Sequence, residues 1–265
     1  MNTAFDLLNS YYTAYDEEGR LASRHGSVEF LTTVRYIERY LRPGMKLLEI
    51  GAATGRYSHY FARRGYEVDA VELIPHNIEL FRKNTEDGEN VRIFEGNAVD
   101  LSMFADDTYD IVLLLGPMYH LFTDEERTAA LSEAVRVTKP GGVLMTAYCM
   151  NEGTVINYLF GKHKIFDESL QGLIDRETFK LTSTPEQLFV LWRQEDIRKF
   201  TDRLPAERLH FVGTDMYTKY FEDMVDGLDD AEFEQYMNYH FIICERADMV
   251  GVSHHTLDIL RKKGE

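Results

Sequence analysis

The sequence predicts an α/β fold, a doubly wound and mostly parallel sheet with helices on both faces, and three observations predict it. Between residues 46 and 148, short apolar runs alternate with helical patterns, as crossover units require. The runs at 47–50 and 109–115 are apolar on both sides, as strands covered from two faces must be. A turn of small residues, Gly51-Ala-Ala-Thr-Gly55, follows the first run directly.

The elements follow in order. Leu47, Leu48 and Ile50 make a strand that Gly51 ends. Residues 57–64 continue as a helix with Tyr57, Tyr60 and Phe61 on one side. Residues 67–72 read as the second strand, and 75–84 as a helix with Ile78, Leu80 and Phe81 as its apolar positions. Residues 91–95 and 109–115 are the third and fourth strands. Ala129, Ala130, Ala134 and Val137 recur at helical spacing over 125–137. Lys139-Pro-Gly-Gly142 is a turn into a fifth strand, 142–148.

The flanks are less regular. Residues 1–44 read as a helical cap carrying Tyr11, Tyr12 and Tyr15, then Phe30, Val34, Ile37 and Leu41. Residues 151–185 read as an insertion or lid, 186–204 as helix, 209–214 as strand and 217–245 as helical. The final strand, 255–260, pairs in a closing hairpin with 209–214 across an inserted helical pair. The expected organisation is a single domain: cap 1–44, ligand-binding core 45–150, insertion and helix 151–205, and C-terminal strands with inserted helices 206–265.

At 265 residues, 44% apolar and 28% charged, the chain can bury one large core. Its 45 acidic and 29 basic side chains give a net charge of −16. That field repels polyphosphate backbones and disfavours nucleic acid as a partner. Residues 1–9 lack a basic leader with a long apolar stretch, and no apolar run reaches the ~18 residues that span a bilayer. Two cysteines, Cys149 and Cys244, make no disulfide framework. The expected location is therefore the cytoplasm, with no membrane partner.

A tight turn between strand and helix brings backbone N–H groups close to a ligand when small residues line it. Gly51, Ala52, Ala53 and Gly55 meet that requirement. Ala53 stands where a dinucleotide fingerprint has its second glycine, so a pyrophosphate is disfavoured. Glu49 sets a carboxylate at the strand end, which suits an ammonium-bearing ligand better than a diphosphate. Glu72 ends the second strand where an acid accepts from a ribose diol.

Leu48-Glu-Ile-Gly-Ala-Ala-Thr-Gly55, Glu72, Gly96-Asn-Ala-Val-Asp100, Tyr109-Asp110 and Val137-Thr-Lys-Pro-Gly-Gly142 together resemble the successive motifs of class I methyltransferases. The match covers residues 46–148 in order, and its specificity lies in the set. The resemblance implies a Rossmann-like sheet of seven strands whose last is antiparallel, and S-adenosyl-L-methionine as cofactor. It implies that Gly51, Ala52 and Gly55 back the methionine portion, Glu72 holds the ribose, Leu73 packs near adenine, and Asn97 and Ala98 edge the ring. Asp100 either accepts from the adenine amino group or caps the next turn. Ala53 departs from the family's more usual glycine.

Leu115, Gly116 and Pro117 follow the fourth strand, at the sheet edge where α/β ligands bind. That turn is expected to bring Tyr119 and His120 to the reacting side of the cofactor. A similar Gly-Pro-x-Tyr-His-Leu turn occurs in a subset of small-molecule methyltransferases. It also resembles, in part, the Pro-Pro-Tyr element of amino-methylating nucleic acid enzymes, which the acidity opposes. His120 is either a general base or a histidine that packs on cofactor or bonds a carbonyl, and Tyr119 shares that ambiguity. Tyr12 and Arg20 either fold over the pocket to grip cofactor or substrate, or belong to a helix packed on the sheet edge. Trp192, Phe189 and Tyr158 line a substrate pocket or simply pack an insertion. Adjacent His254 and His255 are expected to point to opposite faces, which argues against a metal.

Three functions follow from this reading. The first is a methyltransferase acting on an oxygen or nitrogen of a small molecule. The second is a binding or sensing protein that keeps the cofactor pocket without turnover. The third is a NAD-dependent oxidoreductase, which Ala53 opposes. Acceptor and oligomeric state are not legible.

Overall fold

The computed structural model describes residues 3–14 and 23–264. Two helices, α1 (Ala4–Ala14) and α2 (Arg24–Tyr40), precede the sheet. Then come β1 (Lys46–Ile50), α3 (Arg56–Ala62), β2 (Glu67–Glu72), α4 (Pro75–Asn84), β3 (Val91–Glu95), β4 (Tyr109–Leu114), α5 (Asp124–Val137) and β5 (Thr138–Cys149). A short helix, α6 (Asn151–Thr154), runs into a π-helical turn, Val155–Phe160. The chain ends with α7 (Gln194–Thr201), β6 (Ala206–Gly213), α8 (Glu222–Asp226), α9 (Asp230–Ile243) and β7 (His255–Lys262).

The strand order is β3-β2-β1-β4-β5-β7-β6. Strands β1 to β5 run parallel, and β7 lies antiparallel between β5 and β6. The sheet is therefore the seven-stranded, mostly parallel one with an antiparallel last strand that the sequence led us to expect. Both faces are covered. On one, Leu47, Ile111, Leu113 and Met145 pack against Val34 and Ile37 of α2, Phe61 of α3 and Ile243 of α9. On the other, Leu48, Ile50, Val112 and Leu114 pack against Ala130, Leu131 and Ala134 of α5 and Ile197 of α7. At about 25 cal/mol per Å² of apolar surface, burial of this kind is the main stabilising term.

Local signals set the boundaries. Thr123 caps α5 through the Glu126 N–H, and Glu126 answers to the Thr123 N–H, a reciprocal capping box. Asp229 and Glu232 repeat it at α9.

Residues 186–204 are not one helix. Pro185–Gln187 is a single 3-10 turn, and α7 begins only at Gln194. Between them the chain is neither helix nor strand: Leu188 has φ 66°, the Val190 N–H donates to the Tyr119 carbonyl and the Trp192 N–H to that of Cys149. This apolar run buries more by lying along β5 than a solvent-facing helix could, which overrides its helical spacing. Trp192 is buried in the core, its Nε1 donating to the Met118 carbonyl, and it does not line the cavity described next.

Candidate functional site

The carboxyl ends of the parallel strands open into one cavity of about 1000 Å³, at the upper end of the roughly 300–1,000 Å³ typical of small-molecule sites. Its floor is the β1–α3 turn. The Gly51 and Ala52 N–H groups both donate to the Val71 carbonyl, and Leu115 donates to Ile50, so the ends of β1, β2 and β4 are tied together. Gly51 has φ +80°, and a Cβ there would stand 2.6 Å from Pro117 and 2.8 Å from the Leu115 carbonyl. Glycine is thus required by packing between the β1 and β4 ends as well as by any ligand. Ala53 occupies left-handed backbone, φ 47°, where an L-residue costs roughly 1–2 kcal/mol.

Two buried carboxyls flank this turn. Glu72, 6% exposed, accepts from the Ala53 N–H at 2.8 Å with one oxygen and from the Ile74 N–H at 2.9 Å with the other. Burial raises its pKa against those bonds. Glu49, 2% exposed, accepts from the Ser58 N–H and hydroxyl. Burial, with the Glu72 charge adding to it, pushes its pKa up to about 8. Among the described residues no cation pairs with Glu49. A buried carboxyl on a cavity wall without a cation partner is the complement of a ligand ammonium.

Leu73, Asn97, Ala98, Leu115 and Gly116 line the same cavity as Glu49, Gly51, Ala52 and Glu72. Gly55 lies just beneath, where a Cβ would meet His59 and Phe81 at 2.6 Å. Asp100 is the departure. It does not line the cavity, and its Oδ1 accepts from the Ser102 N–H at 3.0 Å, the turn-capping alternative.

Helix α1 supplies Leu8, Tyr11 and Tyr12 to the cavity wall, so it covers the opening rather than a sheet edge. The Tyr12 hydroxyl donates to His120 Nε2 at 2.9 Å, while His120 Nδ1 donates to the Leu188 carbonyl at 2.8 Å. A carbonyl only accepts, which fixes the proton on Nδ1 of a neutral ring. Burial lowers the His120 pKa to about 4. An imidazole so weakly basic and bonded at both nitrogens is a poor general base; the geometry favours the carbonyl-bonding alternative. Tyr119 lines the cavity with its ring 6.0 Å from that of His255. Tyr158 and Phe189 line it as well. Arg20 and Tyr15 lie outside the described residues.

The cavity's far end holds a group that sequence reasoning missed. His254 and His255 do not diverge: β7 begins only at His255, and the two rings lie 4.7 Å apart. Both line the cavity with Asp215 and Glu29. Asp215 Oδ1 accepts from the Ser253 hydroxyl at 2.6 Å and from the His254 and His255 N–H groups, while Oδ2 meets His255 Nδ1 at 2.9 Å. Burial opposes its ionisation, but the bond to His255 holds its pKa well below the usual carboxylate range. Burial likewise works against a charged His255, yet Glu29, Cys149 and Asp215 carry its pKa well above the usual imidazole range. Forty residues separate Asp215 from His255, so no spacing rule joins them. Only the adjacent histidines were visible.

Residues 47–142 match the model of the methyltransferase domain. The ubiquinone biosynthesis O-methyltransferase of Methylocella silvestris is 29% identical over 144 residues, 54% of each chain. The demethylmenaquinone methyltransferase of Renibacterium salmoninarum is 32% identical over 105 residues, 40% of this chain and 41% of that one. The chain thus spans about half the length of these curated relatives, or less. In fold it is similar to a SAM-dependent methyltransferase of Methanosarcina mazei, with TM-score 0.57, 18% identity and coverage of 87% and 98%. It is also similar to one of Thermotoga maritima, with TM-score 0.58, 17% identity and coverage of 98% and 100%.

Over residues 47–142 the chain is thus similar to methyltransferase domains, and both solved structures it resembles in fold are SAM-dependent methyltransferases.

Proposed function

We propose that this protein transfers the methyl group of S-adenosylmethionine to an oxygen or nitrogen of a small molecule. The observation that carries the reading is the buried Glu49, which no cation among the described residues pairs, beside the Gly51 turn and Glu72 on the floor of a cavity that continues well beyond them. Glu49 would take the cofactor's ammonium, Glu72 its ribose, and Leu73, Asn97 and Ala98 the adenine. Gly51, Ala52 and Gly55 would leave room for the methionine portion, with Leu115 and Gly116 on the β4 side. When bound, the cofactor supplies a carbon activated by positive sulfur, and the remaining task is alignment and exclusion of water.

The chain's own residues divide that task. The Tyr12–His120–Leu188 hydrogen bonds tie α1 and the 188–192 segment across the cavity. In this reading His120 is a positioning residue, and Tyr119 faces the acceptor from the β4 turn. The relatives' names, an O-methyltransferase of ubiquinone biosynthesis and a demethylmenaquinone methyltransferase, support a small-molecule acceptor. A net charge of −16 supports the absence of nucleic acid as partner.

The test is ligand-induced stabilisation followed by methyl transfer. S-Adenosylhomocysteine is expected to raise the melting temperature and NAD to leave it unchanged; the reverse overturns the reading. Labelled methyl incorporation into metabolites of a cell extract then separates an enzyme from a protein that binds the cofactor without turnover.

A further inference from the structure

We propose that Asp215, His254 and His255 form a binding site for a first-row divalent cation such as Zn²⁺ at the acceptor end of the cavity. One donor atom from each of the three lies within 4.8 Å of the others. Donors about 2.1 Å from one ion stand roughly 3–3.5 Å apart, and Asp215 Oδ2 and His255 Nδ1 are 2.9 Å apart across a hydrogen bond whose proton the ion would displace. Glu29 Oε2 approaches the same nitrogen at 3.5 Å, which brings a further carboxylate to the cluster.

His254 supplies an independent observation. Its Nδ1 is buried and has no hydrogen-bond partner among the described residues. A buried ring nitrogen without a hydrogen-bond partner is unfavourable, and coordination to a cation would satisfy it. The backbone around it is held firmly: Asp215 binds the N–H groups of both histidines, and the His254 carbonyl accepts from the Met150 N–H. Gly153 leaves no room for a side chain, since a Cβ would stand 2.6 Å from the His254 Cα. The histidine pair is thus seated by its neighbours before any ligand arrives.

Two imidazoles with one carboxylate select borderline divalent ions over Mg²⁺ or Ca²⁺, which favour all-oxygen sites. Three protein ligands leave coordination positions open, and all three residues line the cavity. An ion there would polarise an oxygen or nitrogen of the acceptor. That consequence rests on the methyl-transfer reading; the presence of the site does not.

The test measures Zn²⁺ binding by calorimetry and Co²⁺ coordination by visible absorption on the purified chain. One ion per chain is expected. Loss of a partner around metal ligands alone weakens binding roughly 10–100-fold, so His254→Ala, which removes a ligand, is expected to weaken Zn²⁺ by at least about 100-fold and to abolish the Co²⁺ band. Asp215→Asn can keep the oxygen that accepts from Ser253 and from the His254 and His255 N–H groups but turns the one facing His255 Nδ1 into an amide NH2. That disturbs the hydrogen bonding as well as the ligand set, so His254→Ala, which removes a nitrogen with no hydrogen-bond partner among the described residues, is the decisive variant. No stoichiometric binding to the wild type, or the same affinity in His254→Ala, overturns the proposal. Stabilisation by S-adenosylhomocysteine, measured on the same samples, reports separately on the methyl-transfer reading.

Discussion

Glu72→Ala separates what a buried carboxylate does for the fold from what it does for the cofactor. In the free protein Glu72 satisfies the Ala53 and Ile74 N–H groups. Ala53 lines the cavity, so water can replace the lost acceptor there. Ile74 is 1% exposed, and its stranded N–H is expected to cost about 1–3 kcal/mol. At roughly 2–4 °C per kcal/mol for a chain of this size, the melting temperature should fall by about 2–12 °C. Binding loses charge-assisted hydrogen bonds worth about 1.5–3 kcal/mol, which is a roughly 10- to 150-fold weaker affinity for S-adenosylhomocysteine by calorimetry. Glu72→Gln keeps a carbonyl oxygen for one N–H group, so stability should recover more than affinity does. A folded Glu72→Ala protein with wild-type affinity would falsify the ribose role.

Three further outcomes follow from the geometry. Glu49, with its pKa raised to about 8, is mostly protonated near pH 7 in the free protein, and an ammonium beside it would favour the carboxylate. Cofactor binding should therefore release a proton, seen as a calorimetric enthalpy that varies with the ionisation enthalpy of the buffer, and Glu49→Gln should abolish that dependence. His120, with its pKa lowered to about 4, should stay neutral by NMR from pH 8 down to 5. Because the unfolded ring binds its proton near pH 6.5, the stability tied to neutral His120 is lost as pH falls below that value; titration near 6.5 in the folded protein refutes the buried clamp. Ala53→Gly relieves left-handed strain of about 1–2 kcal/mol against about 0.5–1 kcal/mol of added chain entropy. The net, about 0–1.5 kcal/mol, should raise the melting temperature by up to roughly 6 °C, and a fall would show that Ala53 is not strained.

The sheet and the end of the cavity beside the Gly51 turn were legible because their signals are local. A strand buried on both faces must be a continuous apolar run, and Leu47, Leu48, Ile50 and 111–114 show one. A chain that reverses at a strand end needs small residues, so Gly51 to Gly55 marks the turn, and the acid that closes the next strand is Glu72. Asp100 shows the limit: its residue type serves a ligand or a turn equally well, and only the direction of its side chain, toward the Ser102 N–H, decides. His120 shows the same limit, since its basicity is set by burial, opposed by the bond to the Leu188 carbonyl 68 residues away in sequence.

The opposite end of the cavity was decided by tertiary structure alone. Residues 188–192 read as helix, yet they form none, because the Val190 and Trp192 N–H groups bond to the distant Tyr119 and Cys149 carbonyls instead. Asp215, His254 and His255 meet because β7 inserts antiparallel between β5 and β6, which brings the start of β7 to the carboxyl edge of the parallel strands. Sequence determines a contact when the chain is too short to place its residues anywhere else. When forty residues intervene, the packing of the whole sheet makes the choice.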